Sequence, residues 1–401
     1  MNVGVGLLLI RLAPPAQYGA YAFWANVGFV LASVQNALTV THLLVLPPVG
    51  ETATRRRVEG LMLGVTAVFL VVTALGVLVS AEAFRRAVNP LGVPAAALFV
   101  PAFLLQQFAR SLAFSRGRPA VAAWQTGAVL VLGLTLLGLA ATRAGALSAD
   151  WMLGLLGTAY GLVGAGGLAL AARGLELPSW QGLAAYGAYA RQSGWIFLGV
   201  STTELLARFY AFVTAGFYGP AALATLSATQ LTLRPIPLLA TAWSMAGRSD
   251  LARRREAGNW TGFVRVVLTA LALGLAAAVV WTGIVYEGWS LISRQVFGGK
   301  YADAGWMALL WGCSSAFSFG QVAVSVGLQT LRAFKPLALA NTVASLVAGI
   351  AIVVAIRFWG AAGAIIGTIA GQGVEFTVMS LLLVMHLQRA KAAPVDGSQL
   401  P

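Results

Sequence analysis

Along this chain apolar residues come in runs of roughly 20, each closed by a charge, a proline or a polar cluster, with no apolar/polar alternation inside a run. Leu61 to Val79 and Ala270 to Ile284 show the pattern most plainly. A helix rising about 1.5 Å per residue needs about 20 such residues to cross the hydrocarbon of a bilayer. A barrel strand would alternate instead, and an open sheet would leave backbone groups unpaired in lipid. The pattern therefore predicts an all-α membrane protein of about twelve transmembrane helices. They are expected at about 2–13, 18–46, 59–80, 93–114, 119–142, 150–172, 193–216, 220–245, 262–286, 302–330, 335–357 and 360–386. No hydrophilic stretch between them is long enough for a soluble domain. The first run is short for a span, so either the chain starts late or its first helix is incomplete.

Composition agrees: 59% of residues are hydrophobic and 9% charged, against roughly 25% charged in soluble domains. Mean hydropathy is +0.82. The N-terminal MNVGVGLLLIRL has no basic region and no small-residue cleavage site, so it does not read as a secretory signal. Cys313 lies alone in an apolar stretch, which excludes an intrachain disulfide or a zinc cluster and makes it, most simply, a core residue.

Lys+Arg number 26 against 12 Asp+Glu, but they are scattered between the runs and form no stripe, which speaks against a nucleic-acid partner. Alternate loops explain them. The loops after even-numbered spans and the C-terminal tail hold sixteen, from Arg55, Arg56 and Arg57 to Lys391, and the opposite loops hold seven, from Arg11 to Arg357. Basic loops stay in the cytoplasm, so both ends of the chain are expected there. The triplets Arg55–Arg57 and Arg253–Arg255 could hold anionic lipid or an enzyme partner; solvated topology determinants are the plainer reading.

An internal repeat is visible. Phe114-Ser-Arg-Gly-Arg-Pro119 matches Leu331-Arg-Ala-Phe-Lys-Pro336, and Ala13-Pro-Pro-Ala-Gln-Tyr-Gly19 matches Tyr218-Gly-Pro-Ala-Ala-Leu-Ala224. Each pairs a span with the one six later, which predicts two parallel six-helix repeats around a central cavity. The division expected is residues 1–175 for the first half, 176–192 for a cytoplasmic linker, 193–388 for the second half and 389–401 for a cytoplasmic tail.

Ionisable residues inside spans are costly and mark function by default. Five stand out: Arg110, Glu204, Arg208, Arg234 and Glu375. Glu204 and Arg208 stand one helical turn apart and can pair, either as a site or as mutual neutralisation. Arg234 precedes Pro235 and Pro237, which remove two backbone donors and predict a kinked, cavity-lining segment. Guanidinium groups there would suit phosphate oxygens. Gln35, Asn36, His42, Gln106, Gln107, Gln230, Gln321, Gln329, Asn341 and Gln372 also fall inside spans, mostly as expected interhelical hydrogen bonds. Trp281, Tyr286, Trp289 and Trp306 read as interface anchors, and Gly363, Gly367 and Gly371 as a packing ridge. There is no GxxxxGK[ST], HExxH or GxSxG signature, which moves weight from enzyme to transporter.

The segments Arg11-Leu-Ala-Pro-Pro-Ala-Gln-Tyr-Gly-Ala-Tyr21, Phe297-Gly-Gly-Lys-Tyr-Ala302, Leu328-Gln-Thr-Leu-Arg-Ala-Phe-Lys-Pro336 and Trp359-Gly-Ala-Ala-Gly-Ala364 leading to Glu375 occur together and in this order. Their order resembles the polysaccharide-biosynthesis branch, the O-antigen-type flippases, of the multidrug/oligosaccharidyl-lipid/polysaccharide flippase superfamily. Where that family usually carries an Asp-Arg pair this chain has Ala207 and Arg208, with Glu204 one turn earlier. The resemblance implies alternating access in a bacterial cytoplasmic membrane and a polyprenyl-diphosphate-linked oligosaccharide as substrate. On that reading Arg208, Arg234 and Arg110 hold the diphosphate, Glu204 or Glu375 exchanges a proton or sodium ion, and no other cofactor is needed. Membrane lipids and polysaccharide-biosynthesis enzymes would be its partners. The alternatives are a multidrug exporter of the same superfamily, a membrane-embedded polymerase or transferase, and a non-transporting scaffold.

Overall fold

A computed structural model describes residues 3–44, 53–144, 146–171 and 184–392. Most of the expected linker, Arg173 before it, and the tail beyond residue 392 lie outside the described residues. Among the described residues, twelve helices of ten residues or more carry the fold: α1 Val3–Leu12, α2 Pro15–Gln35, α3 Ala53–Arg86, α4 Ala96–Ser115, α5 Pro119–Ala144, α6 Ala149–Ala171, α7 Gly187–Thr232, α8 Pro235–Glu256, α9 Trp260–Glu287, α10 Gly305–Thr330, α11 Phe334–Trp359 and α12 Ala361–Ala392. Among the described residues, ten helical segments are long and apolar enough to cross a membrane, and α1 is a shorter apolar helix. The chain is an all-α, multi-pass membrane protein.

Local chemistry places the helix ends. Proline opens α2, α5 and α8, where its missing N–H would have had no intrahelical partner. Asn259 caps α9 by accepting from the Gly262 amide at 2.8 Å. Helix α7 runs through two expected spans, 193–216 and 220–245, but breaks between them at Gly219, whose φ of 76° only glycine adopts without strain. The second arm of α7 and then α8 cover the later stretch; the apolar segment there is Ala207–Thr232, and α8 is not among the ten. Helix α2 continues through a π-helical turn, Asn36–Val40, into Thr41–Leu44.

The chain divides into two compact units, Met1–Ser227 and Ala228–Pro401. In the first, α6 packs along α4 through small residues: a methyl at Gly157 would press on the Phe99 backbone and one at Gly164 on that of Gln106. Where Pro220 reopens α7 its carbonyl lies against Gly19 of α2, so close that no Cβ fits. In the second unit the α11–α12 hairpin closes on the predicted glycine ridge. Gly363 meets Ala355, Gly367 meets Ile352 and Gly371 meets Ala348.

The two units contain equivalent turns. After α4, the Gly117 amide donates to the Phe114 carbonyl and the Arg118 amide to Ala113; after α10, Arg332 donates to Gln329 and Ala333 to Leu328. Both are Schellman closures with a left-handed residue, Gly117 at φ 67° and Arg332 at φ 58°. Ser115 therefore corresponds to Thr330, and Pro119 to Phe334 instead of to Pro336 as the proline-led match suggests. An arginine binds each helix end: Arg55 Nη2 donates to the Ser115 carbonyl and Arg255 Nη1 to that of Thr330.

Candidate functional site

Arg208 lies on the first arm of α7, one turn after Glu204, and its Nε is 3.3 Å from the Glu204 carboxylate. Its Nη1 donates to Asn26 Oδ1 of α2 at 3.1 Å, and the guanidinium sits 4.3 Å from the centre of the Phe29 ring. The Asn26 amide is oriented by its own nitrogen, which donates to the Ala22 carbonyl at 2.8 Å. One planar cation is thus held by a carboxylate, an amide and an aromatic face. The side chain keeps 25% of its surface exposed, and Glu204 38%.

Arg110, on α4 of the same unit, has its Nη2 on Gln107 Oε1 and a buried Nε without a hydrogen-bond partner. Its partner differs from those of Arg208, so the two are separate cations within the first unit.

Arg234 belongs to the second unit. Pro235 and Pro237 lack amides, and the turn before them tightens: the Arg234 amide reaches the Leu231 carbonyl at 3.3 Å and Ile236 that of Leu233 at 3.2 Å. The carbonyl of Thr232 loses its helical donor and accepts instead from Trp281 Nε1 of α9, at 2.9 Å. Trp281 is thus a half-buried hydrogen-bond donor. The Arg234 side chain is half-buried and, among the described residues, makes no hydrogen bond or ion pair.

Glu375 of α12 accepts from Gln321 Nε2 at 2.8 Å, and Asn341, with its amide nitrogen turned inward, donates to the other carboxylate oxygen at 3.2 Å. Gln321 Nε2 also donates to the Gln372 carbonyl, and Gln372 Oε1 accepts from Ser314. Three neighbouring helices, α10 to α12, therefore surround one carboxylate with amides and, among the described residues, no cation pairs with it. That leaves an anionic site able to take a proton or a small cation.

Two expectations change. Arg55 is not a solvated topology determinant: with Arg116 it clasps Glu59, which is 2% exposed. Arg55 Nε lies 2.9 Å and Arg116 Nη2 2.7 Å from the carboxylate, and Arg116 Nη1 also holds the Ala171 carbonyl at the end of α6. Glu59 went unnoticed in the sequence; the available signal was its place one turn after Arg55. Cys313 is exposed on α10 between buried Gly312 and Ser314, not in the core. An apolar stretch marks lipid-facing and interior positions alike. His42 is buried and shares a 2.8 Å hydrogen bond with Ser193, which Tyr186 also engages. Among the described residues no group of three potential metal ligands occurs.

No protein-family model matches this chain, and no curated protein matches it by sequence. Its fold is similar to that of a multidrug resistance MATE family transporter of the MOP superfamily in an inward-facing conformation, with a TM-score of 0.76 at 13% identity over 98% of this chain and 95% of that one. It is equally similar to the lipid II flippase MurJ in an inward closed conformation, with a TM-score of 0.76 at 12% identity, covering 97% and 87% of the two chains. A eukaryotic MATE transporter matches at 14% identity with a TM-score of 0.58, covering 97% and 93%. At such identities the likeness is one of fold alone: this chain shares the fold of these three proteins.

Proposed function

We propose that this protein is a transporter, not an enzyme, which flips a polyprenyl-diphosphate-linked oligosaccharide across a bacterial cytoplasmic membrane, with both termini on the cytoplasmic side. The observation that carries the reading is Arg234. It lies about 20 Å along the helical path from Pro220, beside a broken turn, and among the described residues no group neutralises it. A guanidinium held at that depth without a partner is costly unless an anion uses it. A diphosphate offers oxygens that match its fork. Arg208 and Arg110 are each proposed to offer a guanidinium to the same group, and Glu375 or Glu204 to exchange a proton or sodium ion during the cycle. Enzymes of polysaccharide synthesis would supply the substrate.

The test is reconstitution in vesicles with a polyprenyl-diphosphate oligosaccharide carrying a fluorescent sugar. Movement between leaflets is read by quenching with an impermeant reductant. Arg234→Gln should abolish translocation at normal abundance and Arg234→Lys should retain part of it. Unchanged translocation by Arg234→Gln would remove the arginine from the site. A second reading, export of cationic compounds, draws on Glu375, a carboxylate without a cationic partner among the described residues; uptake of a cationic dye into the same vesicles, with no movement of the lipid, would favour it.

A further inference from the structure

Between α11 and α12 runs a groove of about 370 Å³ lined by Lys335, Pro336, Leu339, Val343, Val378 and Leu382. We propose that it binds an anionic phospholipid of the surrounding bilayer, with an acyl chain along the apolar wall and the headgroup phosphate on Lys335. This site is independent of the transported molecule. Leu339 is 59% exposed and Val343 51%, so the wall opens to the outside of the hairpin. The apolar stretch from Lys335 to Val343 is about 12 Å long, enough for much of an acyl chain.

The headgroup end is cationic. Lys335 is exposed and, among the described residues, its ammonium makes no hydrogen bond or ion pair. Exposed Arg332 precedes it in the turn between α10 and α11. The glycine ridge sets α11 and α12 antiparallel, with Gly363 beside Ala355 and Gly371 beside Ala348, so the C-terminal end of α12 lies level with the start of α11. Exposed Arg389 and Lys391 therefore share that end of the hairpin. The hairpin's one deep carboxylate, Glu375, is turned to Gln321 and Asn341 and does not offset them. A phosphate with no compensating ammonium suits such an end better than a zwitterionic headgroup. A second copy of the chain packed into the groove would have to bury the unpaired Lys335 charge.

Native mass spectrometry of the full-length protein in detergent, with equimolar phosphatidylglycerol and phosphatidylcholine added, tests the site. Phosphatidylglycerol should be retained about fivefold over phosphatidylcholine, and Lys335→Gln should remove that preference while Lys335→Arg keeps it. Leu339→Trp, which fills the groove, should lower retention of both lipids. A photo-crosslinking residue at Val343 should label lipid. Equal retention of the two lipids, or an unchanged preference in Lys335→Gln, overturns the proposal. Crosslinking of Val343 to a second copy of the chain overturns it in favour of a dimer interface.

Discussion

The indole nitrogen of Trp281 donates to the carbonyl of Thr232, whose helical donor, the Ile236 amide, turns to Leu233 instead and whose i+3 neighbour, Pro235, has no N–H to offer. A side chain from α9 thus repairs the break that leaves Arg234 beside an irregular turn. Trp281→Phe keeps the ring and removes the donor. It should lower stability by about 1–2 kcal/mol, because a carbonyl in an apolar setting is left unsatisfied. Thermal unfolding in detergent checks this, with Trp306→Phe, on an exposed indole, as the silent control.

Glu59 should behave differently from a surface acid. Glu59→Gln leaves Arg55 and Arg116 facing a neutral group in a buried site, with an expected loss of roughly 3 kcal/mol and poor accumulation in the membrane. Glu82→Gln, whose partners Arg85 and Arg86 are exposed, should leave the melting temperature unchanged.

At Gly367 an added methyl would meet the Ile352 backbone, which cannot swing aside as a side chain can. Gly367→Ala should therefore push α12 away from α11 and lower stability by about 1–3 kcal/mol. Gly127→Ala, with nothing near the added carbon, should be neutral or slightly stabilising in the same melt.

Arg208 divides its guanidinium between Glu204, Asn26 and the face of Phe29. Lysine preserves the charge but cannot make the forked, stacked contact, so Arg208→Lys should transport lipid-linked substrate slowly and Arg208→Gln far more slowly. Glu204 and Arg208 are both partly exposed, so the stability loss in Arg208→Gln should stay near ~1 kcal/mol. Comparable transport by both variants and the parent would assign the pair to structure alone.

Glu375→Gln keeps a group that can hydrogen-bond Gln321 but cannot carry the charge. The variant should fold normally and lose the dependence of transport on a proton or sodium gradient. Gradient-driven transport identical to the parent's would take Glu375 out of the coupling step.

What the chain's own order determined is the set of helices and the places where they start, bend and end. Runs as long as a bilayer is thick must satisfy their backbone internally, so length and apolarity specify α4 to α6 and α9 to α11 to within about three residues at each end, while α3 and α12 run six residues past their expected ends. Proline and glycine act on their own backbone, so the break at Gly219, the strained turn at Pro235 and the packing ridge from Gly363 to Gly371 are also written locally. So is the position of Arg110, Arg208 and Glu375 within apolar helices, whereas Arg234 falls between α7 and α8, just past the apolar segment Ala207–Thr232. Tertiary structure decided which way side chains face and what they meet. In a membrane the lipid-facing and the packed sides of a helix are both apolar, so nothing in the surrounding sequence separates exposed Cys313 from buried Gly312. Partners distant along the chain, such as Asn26 for Arg208 and Arg116 for Glu59, depend on the register in which helices pack. The repeat shows the same division: matching prolines revealed that the halves resemble each other, but turn geometry paired Pro119 with Phe334, because backbone hydrogen bonds and not residue identity define equivalent positions.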